Sequence, residues 1–287
     1  MSASDGPLRI AVPNKGSLSE PASQMLREAG YRQRADSREL VLQDLDSGVE
    51  FFFLRPRDIA VYVGSGRLDV GITGEDLLID SGADAEVVLR LGFARSTFRF
   101  AVEAGRITDV AKLDGRRIAT AYPGLLSRYL DEHGMSAEVI KLDGAVETAV
   151  RLDVADAIAD VVDTGSTLRA AGLEIIGEPL LQSQAVLIRR PDVADSAGLS
   201  QLVHRLQGVM IARQYVLMDY DIADELVESA VAITPGFQSP TVSPLRRAGW
   251  SAVRSMVPRT DTNRLMDELW QLGARAILVT DIHACRL

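Results

Sequence analysis

The chain has one cysteine and three histidines. A single cysteine, Cys285, excludes a disulfide framework within one chain and fits a reducing compartment. His283 and Cys285 lack the further Cys or His partners a metal site needs, so no metal cluster built from protein side chains is expected. His204 reads as a helix-surface or core-edge residue and His133, beside Gly134, as the end of a helix. No Ser-His-Asp or Cys-His arrangement is legible. No apolar run approaches ~18 residues, so no membrane span is expected. Residues 1–7 are short and polar with no apolar core, so no signal peptide is expected and the cytoplasm is the expected compartment. Neither G-x-x-x-x-G-K-S/T nor G-x-G-x-x-G occurs, which leaves P-loop and Rossmann dinucleotide readings without a motif. Basic tracts are missing too. With a net charge of −9 and a pI of about 5.0, a nucleic-acid partner is not expected. Any anionic ligand must be held by local positive groups.

What is present is a chain of 287 residues, 47% hydrophobic and 25% charged, long enough for two or three domains. Its most informative stretch is Val154 to Leu168. Ala157 to Val162 is apolar and partly β-branched, broken only by Asp160. Asp163, Thr164, Gly165, Ser166 and Thr167 follow as a turn, and Leu168 onward turns helical. Such a strand-to-helix junction directs backbone N–H groups and a positive helix end at a phosphate. The two acids would repel a bare phosphate but suit one that brings hydroxyls or a divalent cation, as a ribose phosphate does. An ordinary N-capped helix is the other reading, since Asp and Thr are favoured caps.

Along the chain, Leu8–Val12 reads as a strand leading to Asn14-Lys15-Gly16. A Ser17/Glu20 capping box then opens a helix that stops at Gly30. Arg38–Asp46 and Glu50–Leu54 are expected strands, the latter buried on both faces because Phe51, Phe52 and Phe53 are consecutive. Arg55-Pro56-Arg57-Asp58 opens a helix, Leu68–Ile72 is a strand, and Thr73 caps the next helix with Asp76 at its third position. Lys15, Arg55 and Thr73 thus sit at strand ends that a parallel sheet would collect at one edge. Lys15 also reads as a solvated loop lysine and Arg55 as a surface residue. Further strands are expected at 86–91, 97–102, 117–121, 138–142, 157–162, 173–176 and 185–188, with helices led by Tyr122-Pro123-Gly124 and by Asp143 to Glu147. A long helix is expected over 192–214. Two α/β lobes result, about 8–98 and 99–181, with 185–189 returning to the first. From Tyr215 the order becomes βαββαβ, a ferredoxin-like plait, with a helix over 223–230.

Displacement at an anomeric carbon bearing pyrophosphate needs a phosphate cradle, acids near the ribose, and cations for the leaving group. Thr164 to Thr167, Asp160 with Asp163, and Lys15 with Arg55 offer these.

The stretch Ala155 to Leu168 resembles the signature of the ATP phosphoribosyltransferase family. Val12 to Gly16, Phe53 to Pro56, Asp69 to Gly74 and Ala119 to Pro123 match it too. Ser239-Pro240-Thr241 and Met256-Val257-Pro258 resemble the histidine-sensing domain of the family's long form. The resemblance implies two periplasmic-binding-protein-like (type II) α/β lobes, 7–98 with 183–207 and 99–182, plus an ACT-like regulatory domain at 208–287. It implies that N1 of ATP is joined to C1 of phosphoribosyl pyrophosphate with Mg2+, carried mainly by the substrate rather than by protein ligands. Asp160 and residues 163–167 would bind the ribose 5-phosphate part. Lys15, Arg55, Thr73, Asp76, Leu77, Tyr122 and Glu147 would line the cleft for pyrophosphate or the purine nucleotide. Lys15, Arg55 and Asp160 are the residues implied to be catalytic. Feedback histidine would meet Asp221, Thr241, Met256 and Ala276, and the chain would assemble as dimers and hexamers. A prephenate dehydratase-like lyase and a two-lobed solute-binding protein are the alternatives. The first has no need of the Asp-Thr-Gly-Ser-Thr turn; the second would carry an export signal and leave the plait unexplained.

Overall fold

The computed structural model describes residues 6–162, 165–191 and 196–286. They fall into two compact units: one reaching to Gln24 and running from Tyr31 to Ser200, the other comprising Met25–Gly30 and Gln201 onward.

The first unit holds β1 (Leu8–Pro13), α1 (Ser19–Glu28, whose last turn belongs to the second unit), β2 (Val41–Asp44), β3 (Val49–Leu54), α2 (Pro56–Gly64), β4 (Val70–Gly74), α3 (Glu75–Ser81) and β5 (Glu86–Arg90). Next come β6 (Ser96–Glu103), β7 (Arg117–Thr120), α4 (Pro123–Glu132), β8 (Glu138–Lys141), α5 (Thr148–Arg151), β9 (Ala157–Val162), α6 (Ser166–Ala170), β10 (Leu173–Ser183) and β11 (Ala185–Arg189). One sheet has the order β2-β3-β1-β4-β11-β5, the other β10-β6-β9-β7-β8. We call the layers built on them lobe I and lobe II. In lobe I, β1 runs parallel to β3 and β4, so three strands end on the same edge. Val12 lies opposite Phe53 and Ile10 opposite Val70. Pro56 occupies the first position of α2, where its missing N–H costs nothing, and sets the turn just after Arg55.

Each sheet is buried by apolar side chains of matching period. Ala11, Ile59, Ala60, Val63, Val186 and Ile188 form a lobe I core. Phe98, Phe100, Leu125, Leu126 and Ala157 fill one face of the lobe II sheet, and Ala101, Ala119, Val146, Ala149 and Ile158 the other. Two crossings join the lobes, residues 91–95 and Gln184. They are tied by Leu91 N–H to Ala185 O and Ala185 N–H to Phe93 O, both 2.9 Å. Gly92 and Ala94 take left-handed backbone there, with φ of 77° and 48°.

The second unit contains most of α7 (Ala197–Gln214), then β12 (Tyr215–Ala223), α8 (Val227–Ile233), β13 (Thr241–Pro244), β14 (Trp250–Pro258), α9 (Thr262–Leu272) and β15 (Arg275–Asp281). The sheet order is β13-β14-β12-β15, all antiparallel, a ferredoxin-like plait. Val216, Met218, Tyr220 and Ile222, every second residue of β12, pack with Leu265 and Leu269 of α9. The α/β class with an appended plait is therefore as the sequence implies.

Several details differ from the sequence expectations. The strand expected over 38–46 is only Val41–Asp44, because Asp36 accepts the Arg38 N–H at 2.9 Å and makes a turn there. Phe52 is half-buried while Phe51 and Phe53 are buried, so β3 hides one face fully and the other in part. Thr73 is not a helix cap. It is the fourth residue of β4, fully buried, and its hydroxyl donates to Pro56 O at 2.9 Å, while Gly74 takes the cap position. Helix α1 begins at Ser19, two residues after the expected cap Ser17. The strand expected over 173–176 runs on to Ser183 through a bulge, where the Arg99 guanidinium donates to Gly177 O at 2.6 Å. The helix expected from Ala223 starts at Val227 after a short tight turn. The start of the long helix expected over 192–214 falls in part outside the described residues; α7 begins at Ala197.

Gly71 sits in β4 under α2. A Cβ there would lie 2.5 Å from Ile59 Cγ2 and 3.1 Å from Val63 Cγ2. Gly71→Ala is therefore expected to destabilise by about 1–3 kcal/mol through overpacking. A lower urea midpoint with an unchanged m-value would register it.

Candidate active site

The three parallel strand ends open onto a cleft of about 640 Å³. Lys15, Gly16, Ser17 and Leu18 enter it after β1; Arg55, Pro56, Arg57 and Asp58 after β3; Gly74, Asp76 and Leu77 after β4. Tyr122 and Val161 face it from lobe II, and Ala94, Arg95 and Ser96 from the crossing. A second opening of about 410 Å³ shares Arg95 and Ser96 and reaches Val162, the last described residue before the expected phosphate loop. Lys15, Arg55, Arg57 and Arg95 make this wall cationic within an acidic chain. Among the described residues no group of three or more His, Cys, Asp or Glu is placed to hold a metal ion.

Buried polar contacts hold the wall in place. The Asp76 N–H donates to Ser183 Oγ at 3.0 Å, and that hydroxyl donates back to Asp76 Oδ1 at 2.9 Å. Ser183 ends β10 at the crossing, so the carboxylate is oriented from the segment that joins the lobes. Gly74 leaves room beside it, since a Cβ there would push the Asp76 carboxylate from its place. The Tyr122 ring packs edge-on to Phe98 at 5.3 Å, and the Arg57 guanidinium lies over it, 4.5 Å from its centroid. Burial first, and then the Asp76 charge, push the Tyr122 phenol far above its ordinary range, so it stays a proton donor. Asp160 projects from β9. Burial raises its pKa most and the Glu147 charge adds to this; the Val161 N–H, donated at 2.7 Å, and Arg57 oppose it. Arg57 and Asp160 are thus close enough for their charges to interact.

The structure gathers Lys15, Arg55, Asp76, Leu77 and Tyr122 around one cleft. Asp160 is next to the lining residue Val161, and Glu147, the residue before α5, is near enough to Asp160 to act on its charge. Thr73 faces inward and does not offer its hydroxyl to the cleft. Of the phosphate loop, Asp163 and Thr164 lie outside the described residues. Gly165 is left-handed, with φ of 69°, and Ser166 and Thr167 are exposed in the first turn of α6. Sequence reasoning missed Arg57, Arg95 and Ser96. Arg57 had a signal, being two residues past Arg55 in the same turn; the crossing has no motif.

In the plait, Asp221 of β12 pairs with Arg275, next to Ala276, whose φ is 49° in an irregularity of β15. Thr241 of β13 pairs with Arg254 of β14, and Met256 of that strand pairs with Leu217. Asp221 and Ala276 are thus neighbours, whereas Thr241 is separated from Asp221 by the width of β14.

A test of the Asp160 environment follows from linkage. A carboxyl whose pKa is raised by folding binds its proton more tightly in the folded chain. Its contribution to stability therefore falls as pH rises from the ordinary carboxylate range through the raised value, and stays lost above it. Asp160→Asn is expected to melt higher than the parent near about pH 7, with the difference shrinking toward about pH 4. Thermal scans across pH check this; a variant that melts lower at neutral pH would contradict it.

A family model described as ATP phosphoribosyltransferase matches residues 55–208, and one described as HisG, C-terminal domain, matches residues 212–284. An ATP phosphoribosyltransferase of Arthrobacter sp. (strain FB24) is 66% identical over 285 residues, covering 98% of this chain and 100% of the relative. That of Streptomyces coelicolor is 60% identical over 284 residues, with the same coverages of 98% and 100%. Among solved structures, an ATP phosphoribosyl transferase (HisG:HisZ) complex from Thermotoga maritima is similar with a TM-score of 0.61 and 26% identity, covering 71% of this chain and 98% of that one. Matched end to end at such identity, and carrying the C-terminal domain, the chain belongs to the ATP phosphoribosyltransferase family in its long form.

Proposed function

We propose that this chain joins N1 of ATP to C1 of 5-phospho-α-D-ribose 1-diphosphate, giving 1-(5-phospho-β-D-ribosyl)-ATP and diphosphate, the first committed step of L-histidine biosynthesis, in the cytoplasm. Family membership makes it a pentosyltransferase and sets aside the lyase and solute-binding alternatives. The observation that carries the reading is one cleft lined by Lys15, Arg55 and Arg57 of lobe I and by Tyr122 and Val161 of lobe II, with Asp160 the neighbour of Val161 and near enough to Arg57 for the two charges to interact. Residues 7–98 with 183–207 form the lobe that supplies the cations. Residues 99–182 supply the phosphoribosyl loop.

In this reading Asp160 and residues 163–167 hold the ribose and its 5-phosphate. Gly165, left-handed, lets backbone approach the phosphate, and Ser166 and Thr167 add hydroxyl donors. Lys15 and Arg55 stabilise charge on the departing diphosphate. The Asp160 carboxylate faces the positive charge that develops on the ribose ring as the C1–O bond breaks. Tyr122 as donor, with Asp76, Leu77 and Glu147, orients the purine nucleotide so that N1 approaches C1. Mg2+ arriving on the substrate would neutralise diphosphate charge beside the Lys15 and Arg55 wall, with no side-chain metal cluster needed. Thr73 acts indirectly, holding the Pro56 carbonyl and so the Arg55 turn.

Residues 208–287 are the regulatory domain in this reading. Asp221, Thr241, Met256 and Ala276 contact feedback histidine, and the chain assembles as dimers and hexamers.

A coupled assay of ATP-dependent phosphoribosyl pyrophosphate consumption, with and without histidine, tests the whole reading; absence of consumption would end it. Thr167→Ala, at an exposed position, is expected to raise the KM for phosphoribosyl pyrophosphate about tenfold without lowering the melting temperature. Gly165→Val should act in the same direction, since a β-branched residue is strained at a φ of 69°. Asp221→Ala should leave turnover intact and raise the half-inhibitory histidine concentration about tenfold. Reduced turnover with normal inhibition would give the plait another role.

A further inference from the structure

Asp80 is not a lining residue of the cleft, yet it touches the supports of both cleft walls. It sits near the end of α3 in lobe I, its side chain only 13% exposed. Its Oδ2 accepts from the Arg57 guanidinium at 3.1 Å. Its Oδ1 accepts the N–H of Gly124 at 2.9 Å and of Leu125 at 3.3 Å, in the first turn of α4 in lobe II. That turn has no cap of its own: Tyr122, at the cap position, makes no side-chain capping bond, and Pro123 has no N–H. One carboxylate thus serves as the missing N-cap of a helix in the opposite lobe, where its charge also suits the helix dipole. Gly124 makes the approach possible, because a Cβ there would run into the Asp80 backbone carbonyl. The neighbouring Ile79 packs against the lobe II core, so the contact is continuous with apolar packing.

We propose that Asp80 is a positioning residue for the transfer reaction: it holds Arg57 and the Tyr122 end of α4 together, so that the ATP-facing side of the cleft keeps its shape. This rests on the function proposed above. Without the carboxylate, Arg57 loses its ion-pair partner and α4 its external cap, whereas the Asp80 side-chain bonds among the described residues go to Arg57, Gly124 and Leu125 and none to β9 or α6.

The test is steady-state kinetics with both substrates varied. Asp80→Ala is expected to raise the KM for ATP about tenfold and to leave that for phosphoribosyl pyrophosphate within about twofold. Asp80→Glu, which restores the charge, should recover most of the loss. Gly124→Ala keeps every charge and adds one methyl group at the contact, and should move the KM for ATP the same way. Should Asp80→Ala fail to fold, Asp80→Asn carries the same expectation, keeping an acceptor for α4 while lacking the charge that holds Arg57. An unchanged KM for ATP in folded Asp80 and Gly124 variants overturns the proposal, as do equal rises in both KM values. Parent protein that transfers no phosphoribosyl group overturns the functional reading itself; active parent with indifferent variants overturns only the role of Asp80.

Discussion

A chain with a net charge of −9 that is to bind two polyanions must segregate its charge, and the parallel register of β1, β3 and β4 does so. β1 delivers Lys15 and β3 delivers Arg55 and Arg57 to one wall, beside which β4 ends. Two of the acids near that wall are committed elsewhere, Asp76 to Ser183 and Asp80 to Arg57 and α4. Local positive potential thus survives against the overall charge, because short-range contacts dominate once distant charges are screened.

The same polar contacts make the walls stiff where the chain itself is irregular. Thr73 and Ser183 are buried hydroxyls whose partners are the turn after β3 and the carboxylate after β4. Left without those partners they would be costly, so the local arrangement has few alternatives. The crossing between lobes is the opposite case. It is short, carries Gly92 and Ala94 in left-handed conformations, and is held by a pair of backbone bonds. The lobe I wall is thus held by buried side-chain contacts, the crossing by two backbone bonds.

The plait is built on another logic. Its helices cover one face of a four-stranded sheet through alternate residues of β12, and the other face carries Leu217, Asp219 and Asp221. The Asp219–Arg254 ion pair at 2.7 Å lies on this second face. Asp221 and Ala276 adjoin at an irregularity, while Thr241 and Met256 lie toward the other edge. A ligand that met all four would have to span much of the sheet or lie where two copies meet.

The sequence alone determined what short-range chemistry encodes. Pro56 and Pro123 mark helix starts, alternating apolar residues mark strands, and the strand-turn-helix signature at 155–168 marks the family. Lys15 and Arg55 were legible because each follows a strand, and strand ends are where a parallel sheet opens, whereas Asp76, Leu77 and Tyr122 came from the family resemblance. Tertiary structure decided the rest. Thr73 reads like a cap beside Gly74, but β4 continues two residues further, to Gly74, and turns the Thr73 hydroxyl toward Pro56, 17 residues back in the chain. Arg95 and Ser96 carry no local pattern; they reach the cleft only because two lobes meet there. The tie from Asp80 to Gly124 joins residues 44 apart on different lobes. Periodicity and capping rules act over a few residues, whereas such contacts exist only after both sheets have formed and packed.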